Sequence, residues 1–326
     1  MRILVRILGS LVALLALGWC ALVLVYTAPG PVLVGQVLGG VAVVAGVLGL
    51  RRRGSLVRAL APAATIFIAV LLWYLSLTPP QYADWQPDVA ELPRAELDGD
   101  ILTIHNVRNF DYRSETDFTP RWETRSYDLS KLDGVDMFFS HWSGPAIAHT
   151  ILSWSFSDGQ HLAISIETRK VVGQEYSSVA GFFRQYPIYY VVADERDVVR
   201  LRTNYRGENV WMYRLKPARP ESARALLLDY IASINALAER PAWYNALTDN
   251  CTTTIQRHAR HLNPGANPID WRLLANGYLP ELLYEQGRID TSLPFEEVER
   301  RAHIDARAKA ADRDPDFSAR IREPAD

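Results

Sequence analysis

Three apolar runs open the chain, roughly Ile7–Tyr26, Pro31–Leu50 and Ala59–Leu77, each about 20 residues long. That length suits a hydrocarbon core ~30 Å thick, crossed at ~1.5 Å per helical residue. Inside such a core every backbone N–H and C=O must be satisfied within the segment, so each run is expected to be a helix. No Asp or Glu occurs in the first 80 residues. The basic residues there, Arg2, Arg6, Arg51, Arg52, Arg53 and Arg58, lie before the first run or between the second and third. Positive charge collects on the cytoplasmic side of membrane proteins, which places the N-terminus and the 51–58 loop in the cytoplasm and everything after Thr78 on the opposite side. Two further spans after the first argue against a cleaved signal. Gly39, Gly40, Gly46 and Gly49 predict close packing by the second helix.

Setting those six arginines aside leaves 29 basic residues against 37 acidic, a net of −8 for the rest of the chain. That balance argues against nucleic acid and against electrostatic adhesion to anionic lipid. The spans, not charge, tie this part to the membrane. Cys20 lies inside the first apolar run, so a disulfide to Cys251, the only other cysteine, would need a soluble domain to reach into the bilayer. Cys251 is therefore expected to be a free thiol. No Walker, Rossmann or zinc-protease pattern is present, and neither cofactor nor metal is expected.

The chain divides into a membrane anchor over 1–80, a polar linker over 81–97, a main domain over 98–290 and a C-terminal helix and tail over 291–326. Strand patterns cover Ile101–Val107, Trp122–Leu129 and Val135–Trp142, close enough in sequence to suggest an antiparallel meander. Ala146–Phe156 and Gln160–Arg169 flank Ser157-Asp-Gly159, a hairpin signal. A three-residue loop pairs Phe156 with Gln160 and sets His149 against Glu167; a two-residue loop sets it against Thr168. Further strands are expected at Ile188–Ala193 and Asn209–Leu215, and an amphipathic helix over Arg219–Glu239. Short helices are expected near Trp271–Asn276, Leu279–Gln286 and after Pro294, with a fraying polar tail from Asp312.

The stretch Trp243-Tyr-Asn-Ala-Leu-Thr-Asp-Asn-Cys-Thr-Thr-Thr-Ile255 holds Cys251. Asn250 reads as an N-cap, which puts Cys251 in the first turn of a helix reaching Leu262. Unpaired N–H groups and the helix dipole there stabilise a thiolate, as a thiol nucleophile requires; the alternative is a small residue packing beneath the helix. A base is needed as well. His149, on a strand and facing a carboxylate, is the first candidate and His141 the second. His258 and His261 lack nearby partners for a metal and read as surface residues. Arg184, Arg196, Arg200, Arg202 and Arg206, interleaved with acids, read as solvated ion pairs, with a phosphate site as the alternative.

Asn106-Val-Arg-Asn-Phe110, Ala148-His-Thr150, Ser165-Ile-Glu167, Asp194-Glu-Arg-Asp197 and Tyr244-Asn245…Asn250-Cys-Thr-Thr253 together resemble the periplasmic domain of bacterial Lnb-type lipoprotein N-acyltransferases, over roughly residues 85–286. The resemblance implies an α+β fold of circularly permuted papain-like (NlpC-type) architecture, with an antiparallel sheet and packed helices behind three transmembrane helices. It implies a bacterial inner-membrane protein with a periplasmic catalytic domain. Cys251 would take an acyl chain from a phospholipid as a thioester, His149 would act as base and then acid, and Glu167 would hold the imidazole. Asn250, Tyr244, Asn245 and His141 would contact substrate. The acceptor would be an amine such as a lipoprotein N-terminus, in an apolar site that Phe182, Phe183 and Trp243 would line. A cysteine hydrolase on the same fold, cutting a peptidoglycan amide or a lipid ester, and a non-catalytic envelope-binding module are the rival classes.

Overall fold

The computed structural model describes residues 2–52, 54–216, 221–262 and 270–324. Arg53 and the expected helix start at Arg219 lie outside them. The chain forms two compact units. One comprises Met1–Pro80, Glu175–Pro187 and Ala242–Ala246; the other comprises Gln81–Gln174, Ile188–Pro241 and Leu247–Asp326.

In the first unit, the apolar runs form α1 (Arg2–Thr27), α2 (Val32–Leu50) and α3 (Leu56–Ser76). All three are long and apolar enough to cross a membrane. Their faces meet through α2, where Gly35, Gly39, Gly46 and Gly49 are buried. A side chain at Gly35 would collide with the backbone of Leu24 and Val25 in α1, so that crossing depends on glycine. Gly40, expected in the contact, instead has open space beside it, and Gly35 takes its place. Five residues separate the two positions, which at ~100° per residue puts them on different sides of the helix. Trp73 Nε1 donates to Thr27 Oγ1 at 3.2 Å, which brings the C-terminal ends of α1 and α3 together. Arg6 reaches the carbonyl of Arg52 at the other end.

The second unit is built on an eight-stranded sheet. Its strands are β1 (Arg94–Asp98), β2 (Ile101–Arg108), β5 (Trp122–Asp128), β6 (Leu132–His141), β7 (Ala148–Phe156), β8 (His161–Thr168), β9 (Ile188–Ala193) and β10 (Asn209–Arg214). A small hairpin, β3 (Asp111–Tyr112) with β4 (Phe118–Thr119), stands apart. The order is β1-β2-β9-β8-β7-β6-β10, with β5 also on β2. The expected meander of the first three strands does not form: β5 pairs with β2, but β6 crosses to β7 and β10. Nor is the sheet purely antiparallel, because β2 and β9 meet in parallel at Arg108 and Ala193. The expected linker belongs to the domain as well, since Val89 is buried and β1 pairs along β2.

Helices cover both faces. α5 (Ser222–Glu239) and α6 (Cys251–Leu262) pack on the face that carries Trp154 and Tyr190. The opposite face, with Phe138, Ile151 and Val191, is covered by α4 (Glu195–Arg200) and by C-terminal helices. α7 (Leu279–Glu285) and α8 (Phe295–Ala302) lead into α9 (Asp305–Ala310) and α10 (Phe317–Arg320), which complete that cover. The tail expected to fray from Asp312 is thus core: Phe317 and Ile321 are buried, and Arg322 bridges Asp136 and Glu195, each at 2.6 Å. Its few apolar residues are spaced to enter one hydrophobic face, which overall polarity concealed.

Candidate active site

The hairpin between β7 and β8 turns through three residues. Phe156 N donates to Gln160 O at 3.0 Å, and Gly159 takes φ 86°, a left-handed value glycine adopts without strain. Ile151 therefore pairs with Ser165, and the register continues to set His149 beside Glu167. Along these strands His149, Ser165 and Glu167 share one face. Ser165 Oγ lies 2.6 Å from His149 Nε2 and donates to Glu167 Oε1 at 2.7 Å. A direct contact of 3.2 Å joins His149 Nε2 to Glu167 Oε1. Because the serine proton goes to the carboxylate, its oxygen accepts from Nε2–H, and Nδ1 remains for the thiol.

Cys251 is the first residue of α6. Asn250 caps that helix: its Oδ1 accepts from Thr253 N at 2.9 Å, and its own N–H donates to Thr253 Oγ1 at 3.0 Å. This reciprocal pair fixes the turn that presents the sulfur. Both cysteines are free thiols. Burial pushes the Cys251 thiol up, but the charge and hydrogen bond of His149, with help from the Thr150 backbone and the Thr252 hydroxyl, bring it below the ordinary value. Burial and Arg202 push His149 down, yet Glu167 and Cys251 outweigh them and raise it to about 9. Burial acts against ionised Glu167 too; His149 and Arg202 hold it well below the carboxylate range. The sign of all three shifts is that of a thiolate–imidazolium pair backed by a carboxylate.

Groups whose part in the site sequence patterns missed hold this arrangement. Arg202, with 5 % of its side chain exposed, donates to Glu167 Oε1 at 2.8 Å and to Glu208 Oε2 at 2.9 Å. Ser140 donates in turn to Glu208. Asn276 accepts from Ala148 N at 2.9 Å and donates to Thr252 Oγ1 at 2.6 Å, which ties the His149 strand to the Cys251 helix. Ser165 had a local signal, two residues before Glu167 on one strand face. Arg202 and Asn276 had none, because each acts across a long sequence separation. Of the expected solvated ion pairs, those of Arg202 are corrected, since Arg202 is buried between Glu167 and Glu208, whereas the Arg206–Glu115 pair is partly exposed. α4 and a π-turn over Leu201–Tyr205 direct Arg202 inward.

The remaining candidates separate. His141, at the end of β6, has its ring 4.9 Å from Trp211 and lines a cavity of about 620 Å³ with Glu208, Arg206 and Tyr278, whose lining includes neither Cys251 nor His149. Burial lowers the pKa of His141. Tyr244 and Asn245 fall in the compact unit of the apolar helices, as do Phe182, Phe183 and Trp243. There Tyr244 N donates to Tyr186 O at 2.9 Å. His258 is buried rather than at the surface. It joins Asp229 at 2.6 Å through Nδ1 and the Tyr190 hydroxyl at 2.8 Å through Nε2, and so bonds α6 to α5 and β9. His261 shares Asp229 at 3.3 Å. Among the described residues no cluster has the ligands for a metal.

Residues 118–277 match the family model described as the Lnb N-terminal periplasmic domain. This span is shorter than the 85–286 stretch of the resemblance, but it contains Cys251, His149, Ser165, Glu167, Arg202 and Asn276. No curated protein and no solved structure matches the chain.

Proposed function

We propose that this chain, a membrane protein carrying the Lnb N-terminal periplasmic domain over residues 118–277, is a cysteine acyltransferase that moves a fatty-acyl chain from a phospholipid to an amine. The observation that carries this reading is the Cys251 thiol at the N-terminus of α6, paired with a His149 whose far edge is held by Ser165 and Glu167. The chain order of histidine strand, carboxylate and cysteine helix is that of a permuted papain-like site. Arg6 and Arg52 meet at one end of the helix bundle, which supports an inner-membrane topology with that end cytoplasmic.

In the first half-reaction the Cys251 thiolate attacks the ester carbonyl carbon. The carbon–sulfur bond forms, and the oxyanion is stabilised by N–H groups at the start of α6. The ester C–O bond then breaks as the His149 imidazolium gives its proton to the departing glycerol oxygen, leaving a thioester and a lysophospholipid. In the second half an amine, such as a lipoprotein N-terminus, attacks the thioester. Neutral His149 takes the amine proton, the C–S bond breaks, and an amide leaves with the thiolate restored. Glu167 keeps the imidazole oriented and stabilises its charged form in both halves. Anchoring in the bilayer suits two substrates that also reside there, because it raises their effective concentration.

The test is intact-mass spectrometry of the detergent-purified chain after incubation with phospholipid, beside Cys251→Ser and His149→Ala. A hydroxylamine-sensitive acyl adduct on wild type alone is the expected result. Rapid release of fatty acid without any amine would replace the transferase with a hydrolase. No adduct and a sluggish thiol would overturn both in favour of a binding module.

A further inference from the structure

The segment Glu175–Pro187, between β8 and β9, belongs to the same compact unit as the three apolar helices. Its attachment is specific. A helix leaves its last carbonyls without intrahelical donors, and at the end of α3 the Arg184 guanidinium supplies them. It donates to Tyr74 O at 2.6 Å, Leu77 O at 3.0 Å and Leu75 O at 3.3 Å, and lies 4.5 Å from the Tyr74 ring centre. Arg184 itself adopts φ 52°, a left-handed conformation that costs a non-glycine residue energy and persists where surrounding bonds hold it. The Tyr74 hydroxyl donates to Phe182 O at 3.1 Å, and the Trp243 indole donates to Leu77 O at 2.9 Å. Phe183 stacks on Tyr26 at the end of α1, with ring centres 5.1 Å apart and planes 6° from parallel.

These bonds hold the segment at the ends of two helices that are long enough to span a bilayer, among Tyr26, Trp73 and Tyr74. Aromatic rings of this kind gather where the hydrocarbon meets the headgroups. While Phe183 turns inward, Phe182 is 42 % exposed and Val179 52 % exposed. The two are three residues apart across one turn of 3₁₀ helix, a spacing that puts side chains on one face. Leu72 and Leu75, in the last turns of the α3 helix to which the segment is bonded, are exposed as well.

We propose that this face is a membrane-docking surface: Val179 and Phe182 insert into the lipid leaflet at the C-terminal ends of α1 and α3, at the level where acyl chains join the glycerol. The partner is the phospholipid bilayer itself. The segment thereby acts as a second, interfacial attachment beside the spans, and both ends of its chain are set at a fixed depth. This inference does not depend on the acyl-transfer chemistry.

The test uses the full-length protein in vesicles of phosphatidylethanolamine and phosphatidylglycerol, in a Cys251→Ser background with Cys20 buried and unlabelled. Single cysteines at Val179 and Phe182 carry nitroxide labels, and power saturation compares access to oxygen with access to a water-soluble nickel chelate. Leu72→Cys on the apolar face of α3 is the lipid control, and Gln160→Cys at the tip of the β7–β8 hairpin is the aqueous control. The expected result is an oxygen preference at 179 and 182 close to that at 72, with the chelate preferred at 160. Chelate access at 179 and 182 equal to that at 160 would overturn the proposal. Labels shielded from both reagents would also overturn it, since protein rather than lipid would then cover the face.

Discussion

Asn276 donates to the Thr252 hydroxyl at 2.6 Å while its Oδ1 accepts from the backbone of Ala148. One buried amide thus spans the strand that carries His149 and the helix that carries Cys251. Asn276→Ala would leave a buried N–H and a hydroxyl short of partners, at a cost of about 1–3 kcal/mol. Misplacing reacting groups by ~1 Å costs on the order of 10²-fold in rate. Acyl-adduct formation is therefore expected to fall by about that factor while the protein remains folded. Stopped-flow acylation beside a thermal melt checks it; a lost melt with unchanged rate would refute the alignment role.

The pairing of Cys251 with His149 predicts thiol reactivity below the usual range. Wild-type alkylation by iodoacetamide should reach its plateau at a lower pH than that of an ordinary thiol, because His149 favours the thiolate. In His149→Ala, burial still opposes the charged sulfur, and only the Thr150 backbone and the Thr252 hydroxyl remain to offset it. The inflection should rise to or above ~8.5, the ordinary thiol value, with the rate near neutrality down at least ~10-fold. Coincident profiles for the two proteins would dismiss the ion pair.

Glu167 sets the alkaline side. A histidine whose folded pKa is raised contributes stability in full below its unfolded value, ~6.5, and loses it as the pH climbs through the folded value. For His149 that upper limit is about 9. Glu167→Gln leaves only Cys251 to offset burial and Arg202, so the alkaline loss should move to lower pH. Melting temperature against pH for both proteins reads this shift directly. Cys251, lowered rather than raised, gives the mirror image: its share is lost as the pH falls through its depressed value.

Ser165→Ala should be milder. It removes the bridge, but the 3.2 Å contact between His149 and Glu167 survives. Loss of one hydrogen bond of about 1 kcal/mol corresponds to roughly 5-fold in turnover. A loss as large as that of Glu167→Gln would mean that the serine, not the direct contact, transmits the carboxylate.

How much of this was legible beforehand follows from range. The spans, the hairpin at Ser157–Gly159 and the cap at Asn250 are local matters of length, turn chemistry and spacing, and each could be read from a dozen residues, although the sequence left two loop lengths open for the hairpin. His149 and Glu167 meet because one hairpin register dictates it. Arg202 looked like one of several solvated arginines, since nothing within α4 reveals that its turn points beneath the sheet. β6 looked like the third strand of a meander because adjacency in sequence is the usual guide, whereas its partners were β7 and β10. The last residues looked like a polar tail because their apolar members are few.

Those last residues also yield a stability test. Glu195 is fully buried and Asp136 nearly so, and Arg322 bridges the two. Arg322→Ala would leave buried carboxylates without that partner, a change worth about 3–5 kcal/mol. Urea denaturation should show a lower midpoint with an unchanged slope. A midpoint within error of wild type would mean the pair is solvated in solution.

The bond from Arg322 to Asp136 spans 186 positions. Synthesis therefore releases the β6–β7–β8 layer long before the residues that cover it. Until Phe317 and Ile321 emerge, the face carrying Phe138, Ile151 and Val191 stays incompletely covered. Contacts of such separation are slow to close, and uncovered strands are prone to pair wrongly meanwhile. The turn carrying Phe317, Ile321 and Arg322 is thus the last part of that cover to be made. Damage there would reduce the amount of protein that accumulates before it altered what each surviving molecule does.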